Sequence, residues 1–285
     1  MSDVLLSAAS VMYASSGAGF MASLARARPS LLNAAKLGLL VGAAIHALAL
    51  LVRFIQLGLP PVTNGFEGLS LLSLLIAVIF LVLQRRYPVQ VLGAFVAPLV
   101  FLHLTASLLF TGDTNQIPAA LKSAYFYVHI TLAFLGDAFL AVAAAASVSY
   151  LLQERKLRLK KVDTLSGQLP NLNLADHIAH RCLAVGFLFM SLGIASGVVY
   201  AKHAWHAYWS WDPKQNWSAL TWLVYALMLH FRFMVGWRGR RLAWLTVGAF
   251  ALVVTGAVVM GVFNWGRHTG DYDAMPASTS SSEAP

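Results

Sequence analysis

Eight mostly apolar runs, separated by short polar segments, constrain this sequence more than anything else: residues 4–24, 37–55, 69–83, 91–110, 125–151, 183–200, 217–233 and 242–263. Most approach the roughly 20 residues that a helix needs to cross a bilayer. The third is short and borrows from the residues before it. A chain built this way satisfies its backbone in lipid only as helices or as a closed barrel, and runs of this length exclude the barrel. The expected fold is all-α: a polytopic membrane helical bundle of about eight transmembrane helices. Composition agrees, with 59% hydrophobic and 11% charged residues against about 45–50% and about 25% in soluble proteins. The first run lacks a basic leader and reads as a retained helix, not a signal peptide.

The formal charge of +9 does not point to nucleic acid, because the basic residues lie in short connections where they set membrane orientation. Fifteen of the twenty, among them Arg26, Arg85, Arg155, Lys160 and Arg241, fall in one set of alternate connections. The other set holds five: Arg53, Lys122, Lys202, Lys214 and Arg267. The first set is expected in the cytoplasm, with both termini outside. One membrane domain over residues 1–273, a polar cytoplasmic loop at 153–179 and a disordered Ser/Pro/Ala-rich tail at 274–285 complete the expected organisation. No internal repeat suggests an inverted-repeat transporter. The lone Cys182 excludes an internal disulfide, a Cys-rich zinc site and an Fe–S cluster. No C-x-x-C-H occurs, so the chain carries no covalent haem of its own.

The densest chemistry lies at residues 201–222, AKHAWHAYWSWDPKQNWSALTW. Trp205, Tyr208, Trp209, Trp211, Trp217 and Trp222 crowd around a single acid, Asp212, on the outward side. An interfacial belt explains two or three aromatics. A run this dense in the loop at 201–217 reads instead as a platform for a large planar ligand. Asp212–Pro213 reads as an N-cap followed by proline at the first helical position.

Four of the nine histidines stand at telling positions. His129 is at the outer end of the fifth run, and His268 lies just past the end of the eighth. His230 is about 14 residues into the seventh, roughly 20 Å deep at 1.5 Å per residue, and His46 is midway along the second. A membrane histidine is costly unless paired, and a hydrogen bond to a neighbouring helix satisfies it as readily as a ligand does. Two at one outer level beside an aromatic platform can supply both axial nitrogens of a haem iron.

The stretch YWSWDPKQNWSALTWLVYALMLH at residues 208–230 closely resembles the tryptophan-rich (WWD) signature of the CcsA (ResC) family, the haem-handling membrane subunit of system II cytochrome c biogenesis. The resemblance extends over most of the chain. NGFEG at 64–68 is similar to the family's Asn-x-Tyr/Phe-Glu element, and YVHITLAFLGDA at 127–138 to its first outer-histidine helix. GFLFMSLGIASGVVYA at 186–201 matches the helix entering the signature, and GVFNWGRHTG at 261–270 the second outer-histidine element. This sequence departs from the family at Gln215 (commonly Glu), Asn216 (Thr), His206 (Gly) and Arg267 (Leu), and Asp137 puts a carboxylate inside the fifth helix.

The resemblance implies a subunit of a cytochrome c haem lyase in the cytoplasmic membrane, or in a thylakoid with its Trp-rich loop toward the lumen. Haem b, carried non-covalently, would be the transported substrate. His129 and His268 would be its outer axial ligands and His230 the transmembrane one, with the other inner ligand from a CcsB (ResB) partner. Trp205, Tyr208, Trp209, Trp211, Asp212 and Trp217 would form the platform. Lys202, Lys214 and Arg267 are candidate contacts for the propionates, and equally ordinary solvated charges. Glu67 is either functional or a cap on the third helix. The client would be an apocytochrome c with its C-x-x-C-H motif. Three other readings use the same residues: a haem exporter or chaperone without ligation, a system I handler, and a bis-histidine electron carrier.

Overall fold

The computed structural model describes residues 1–26, 28–108, 119–160 and 169–262. Eight α-helices account for nearly all of them: α1 Ser2–Arg26, α2 Pro29–Leu57, α3 Gly65–Arg86, α4 Gly93–Ser107, α5 Ala124–Arg158, α6 Leu172–Trp205, α7 Pro213–Phe233 and α8 Arg240–Val262. Short 3-10 turns at Gln90–Leu92 and Ala119–Lys122 precede α4 and α5. Each apolar run becomes one helix, and the third extends backward to Gly65, as its shortness implied. The chain is a polytopic membrane helical bundle. Seven of the described helices are long and apolar enough to cross a membrane. The remaining one, α7, carries Lys214, Gln215, Asn216, His230 and Arg232 and falls short of that apolarity.

Local chemistry fixes the helix ends. Asn64 Oδ1 accepts from the Glu67 amide, Asn171 Oδ1 from Leu174 and Asp212 Oδ1 from Lys214, each at the start of its helix. Such caps satisfy amides that have no partner within the helix. Pro29 and Pro213 occupy the first turns of α2 and α7, where a missing N–H costs nothing. At the end of α6, His206 adopts the left-handed conformation (φ 57°) usually taken by glycine.

The loop expected at residues 153–179 is shorter than the sequence suggested. Helix α5 continues to Arg158 and α6 begins at Leu172. Arg158 pairs with Glu154 one turn earlier, and Arg232 grips Asp176 through two nitrogens at 3.0 and 2.7 Å. These polar contacts prolong both helices past the apolar stretch from which the boundaries were read.

Helices α5 and α6 make the most extensive contact in the bundle. Their axes approach closely because a Cβ at Gly136 would stand 2.9 Å from the Met190 nitrogen, and one at Gly193 3.0 Å from that of Ala133. Small residues at such crossings let backbones pack without intervening side chains. One core joins the bundle, with Tyr13, Phe20, Leu39, Ile76, Phe80, Leu140 and Ile178 fully buried. A smaller cluster of Val62, Leu121, Phe126, Tyr200 and Ala204 packs at the Trp-rich end of the bundle, against Trp205.

Candidate functional site

Beside that smaller cluster lies a cavity of about 480 Å³, within the range of roughly 300–1,000 Å³ typical of ligand sites. Helices α3, α5, α6, α7 and α8 all contribute to its wall. His129, Ile130, Ala133, Phe134 and Asp137 line it from α5, on one helical face. Gly193, Ile194 and Gly197 line it from α6, and Val253, Gly256 and Met260 from α8. Trp205, Trp209 and Trp217 supply the indoles.

His129 is half-buried in this wall. Its Nδ1 lies 2.9 Å from the Gly193 carbonyl oxygen. A carbonyl can only accept, so Nδ1 carries the hydrogen and Nε2 keeps its lone pair. Fixing the tautomer through the other ring nitrogen is how proteins orient a metal-binding imidazole. Trp217 lies against α8 so closely that its Nε1 occupies the space a side chain on Gly256 would need. Among the described residues that buried Nε1 has no hydrogen-bond partner, nor has the buried Nδ2 of Asn64, which also lines the cavity.

The aromatic loop divides into two faces. Trp205 and Trp209 turn to the cavity, while Tyr208 and Trp211 are 60% and 77% exposed and outside its wall. Trp211 meets Trp209 edge-on, with centroids 6.2 Å apart. Asp212 is buried and caps α7, so the acid at the centre of the signature builds the loop and does not line the cavity. Trp222 belongs to helix packing: its Nε1 donates to Ser191 Oγ and its ring stacks on Phe187. Gln215 Oε1 accepts from both the amide and the hydroxyl of Ser210, and Asn216 donates to the Trp211 carbonyl. Gln215 and Asn216, two of the positions where the sequence departs from the pattern it resembles, thus tie the loop to α7.

Of the candidate cations, Lys214 lines the cavity. Lys202 lies outside its wall, donating to the His206 carbonyl and sitting over the Tyr208 ring. His206 itself is exposed and does not line the cavity. His268 and Arg267 lie outside the described residues. His230 is three residues from the end of α7, and its side chain is exposed on the surface of the isolated chain. Its distance from Pro213, 17 residues, amounts to roughly 25 Å along the helix. His46 is fully buried and uses both nitrogens, with Nδ1 on Tyr13 and Nε2 on Ser70. Glu67 is also fully buried; Arg53, the Thr63 amide and the Thr63 hydroxyl all donate to its carboxylate. It anchors the strip of chain carrying Thr63 and Asn64, which line the cavity.

A family model for cytochrome C assembly proteins matches residues 62–266, most of the chain and nearly all of this site. The cytochrome c biogenesis protein CcsA of Prochlorococcus marinus (strain MIT 9303) is 30% identical over 268 residues, covering 83% of this chain and 84% of that protein. The chain belongs to the CcsA family. The CcsA of Synechococcus sp. (strain CC9311) is 32% identical over 243 residues, covering 75% of this chain and 79% of its own. A solved structure of the cytochrome c heme lyase CcmF superposes with a TM-score of 0.67 at 16% identity, over 97% of this chain. It is a likeness of fold, and the chain spans 51% of that protein's length.

The residues that sequence reasoning passed over in this CcsA-family site are the glycines behind the rings, Gly193, Gly197 and Gly256. Gly193 and Gly197 form a small-x-x-x-small pair in α6 at the level of His129. That spacing is a signal for close helix approach, and it marks the place where the imidazole sits.

Proposed function

We propose that this chain handles haem in cytochrome c biogenesis, carrying it across the membrane and presenting it for attachment to the C-x-x-C-H thiols of an apocytochrome c. One observation supports this above the others: an imidazole with its Nδ1–H committed to a backbone carbonyl faces an indole-walled cavity of about 480 Å³. That donor set fits haem, which needs a neutral nitrogen on its iron and apolar walls for its ring.

His129 holds the iron from one side through Nε2, and the family resemblance assigns the other side to His268. Trp205, Trp209 and Trp217 restrict the porphyrin plane, and Lys214 neutralises a propionate at the rim. The chemistry at the vinyl groups belongs to haem and the client thiols, while the chain supplies position and excludes water. His230, exposed near the other end of α7, is open to a second ligand from a CcsB-like subunit. In the basic-residue topology the Trp-rich loop faces outward and haem enters at the His230 end.

The test is expression with and without a CcsB-type subunit in a host lacking its own assembly system, with covalent cytochrome c read by haem stain. Product is expected with both subunits and to be lost in His129→Gly. Free imidazole should restore part of it, because the vacated space lies near the outer surface. Undiminished cytochrome c in His129→Gly without imidazole would overturn the reading. Reporter fusions in the 161–168 connection and after Pro285 should report opposite sides, and matching signals would reject the topology.

A further inference from the structure

The orientation of His129 is set by a neighbouring helix. Gly193, Gly197 and Tyr200 follow one another on a single face of α6. The Gly193 carbonyl accepts from Nδ1, and the Tyr200 ring lies nearly parallel to the imidazole, 11° between planes and 6.1 Å between centroids. The imidazole also lies over Gly197, where an added Cβ would stand 2.7 Å from Cε1 and 2.8 Å from Nδ1. The helix itself does not require glycine there. Gly197 is not among the residues with positive φ, and alanine is the better helix former.

We infer that Gly197 is a positioning residue: its missing side chain lets the His129 ring settle against the α6 backbone with Nδ1 on Gly193 and Nε2 toward the cavity. This rests on the reading of His129 as a haem ligand. The other glycines of this helix pair do different work. Side chains at Gly136 and Gly193 would meet backbone atoms of the facing helix, Met190 N and Ala133 N, so those two set the helix spacing. At Gly197 the nearest atoms belong to the imidazole. An alanine there must push the ring out, and the ring cannot yield without losing its bond to Gly193.

The experiment titrates the purified full-length chain in detergent with iron protoporphyrin IX, following absorbance, for wild type, Gly197→Ala, His129→Gly and the double variant. Gly197→Ala should bind haem about 10–100-fold more weakly, the usual effect of losing an interaction that orients a metal ligand, with thermal stability unchanged or raised. In the His129→Gly background the same substitution should change nothing further. Gly136→Ala serves as the structural control and should lower thermal stability. Should Gly197→Ala not accumulate, Tyr200→Leu carries the same test, with a smaller loss most of which vanishes without His129, the rest coming from its edge contact with Trp205. Wild-type affinity in Gly197→Ala, or an equal loss in the His129→Gly background, overturns the inference while leaving His129 as a ligand. Wild-type affinity in His129→Gly overturns the ligand reading and this inference with it.

Discussion

The Arg53 guanidinium meets the Glu67 carboxylate at 2.8 Å, joining the end of α2 to the first turn of α3. Glu67 is fully buried and Arg53 mostly so. Removing one partner of a buried ion pair leaves the other charge unpaired, at a cost of about 3–5 kcal/mol. Glu67→Ala and Arg53→Ala should each lower the unfolding midpoint in detergent, although without Glu67 the guanidinium keeps the exposed Asp3 at 3.8 Å. The double variant should be less destabilised than the sum, since no lone charge remains. An additive double variant would show that the two act separately.

Gln215 and Ser210 make the second prediction. One side-chain oxygen receives two hydrogen bonds from Ser210, and a glutamate carboxylate offers the same acceptor. Gln215→Glu should therefore keep haem occupancy and stability near wild type. Gln215→Ala should lose about 0.5–1.5 kcal/mol per bond and let the Trp205–Trp209 segment drift from the cavity. Haem content per purified chain checks both, and equal loss in the two variants would refute the acceptor role.

The two faces of the aromatic loop predict unequal effects. Trp209 lines the cavity and Trp211 is largely exposed. Trp209→Ala should lower haem affinity by the equivalent of about 0.5–1.5 kcal/mol, the contribution of one aromatic contact beyond area burial. Trp211→Ala should act weakly. A haem titration giving the reverse order would mean that the loop closes differently around its ligand.

What is legible in the sequence depends on the kind of signal each structural feature leaves there. Helix number came from apolar run length, which bilayer thickness makes nearly unambiguous. The cap at Asp212 was legible because Asp-Pro has one common use at a helix start. The place of His129 in the cavity wall was legible from its position at the start of the fifth run, beside the Trp-rich loop. The split of the Trp-rich loop into an inner and an outer face was not, because it turns on the positive φ of Trp211 (56°) and on the hydrogen bonds from Gln215 and Asn216. The anchoring role of Glu67 was half legible: Asn64 three residues before it announces a cap, but Arg53 belongs to another helix. Gly197 carries no chemistry of its own, so its place under the imidazole appears only once α5 and α6 are packed.

His46 supplies the contrasting case among the membrane histidines. It is fully buried, but its nitrogens already bind Tyr13 and Ser70, joining α1, α2 and α3 at distances of 3.3 and 2.9 Å. No ring nitrogen is left for a metal, and the residue is not part of the cavity wall. His46→Ala should therefore cost stability, about 1–3 kcal/mol for each buried hydroxyl deprived of a partner, together with the packing lost at the ring. The haem spectrum and affinity of whatever protein folds should match wild type. Added imidazole should restore nothing, because the site is enclosed in the core and not open to solvent. His129→Gly should show the opposite pattern, with small loss of stability, large loss of haem and recovery with imidazole. Measuring unfolding midpoint and haem content on the same preparations separates the two roles. A haem deficit in His46→Ala that imidazole corrects would make it a ligand after all.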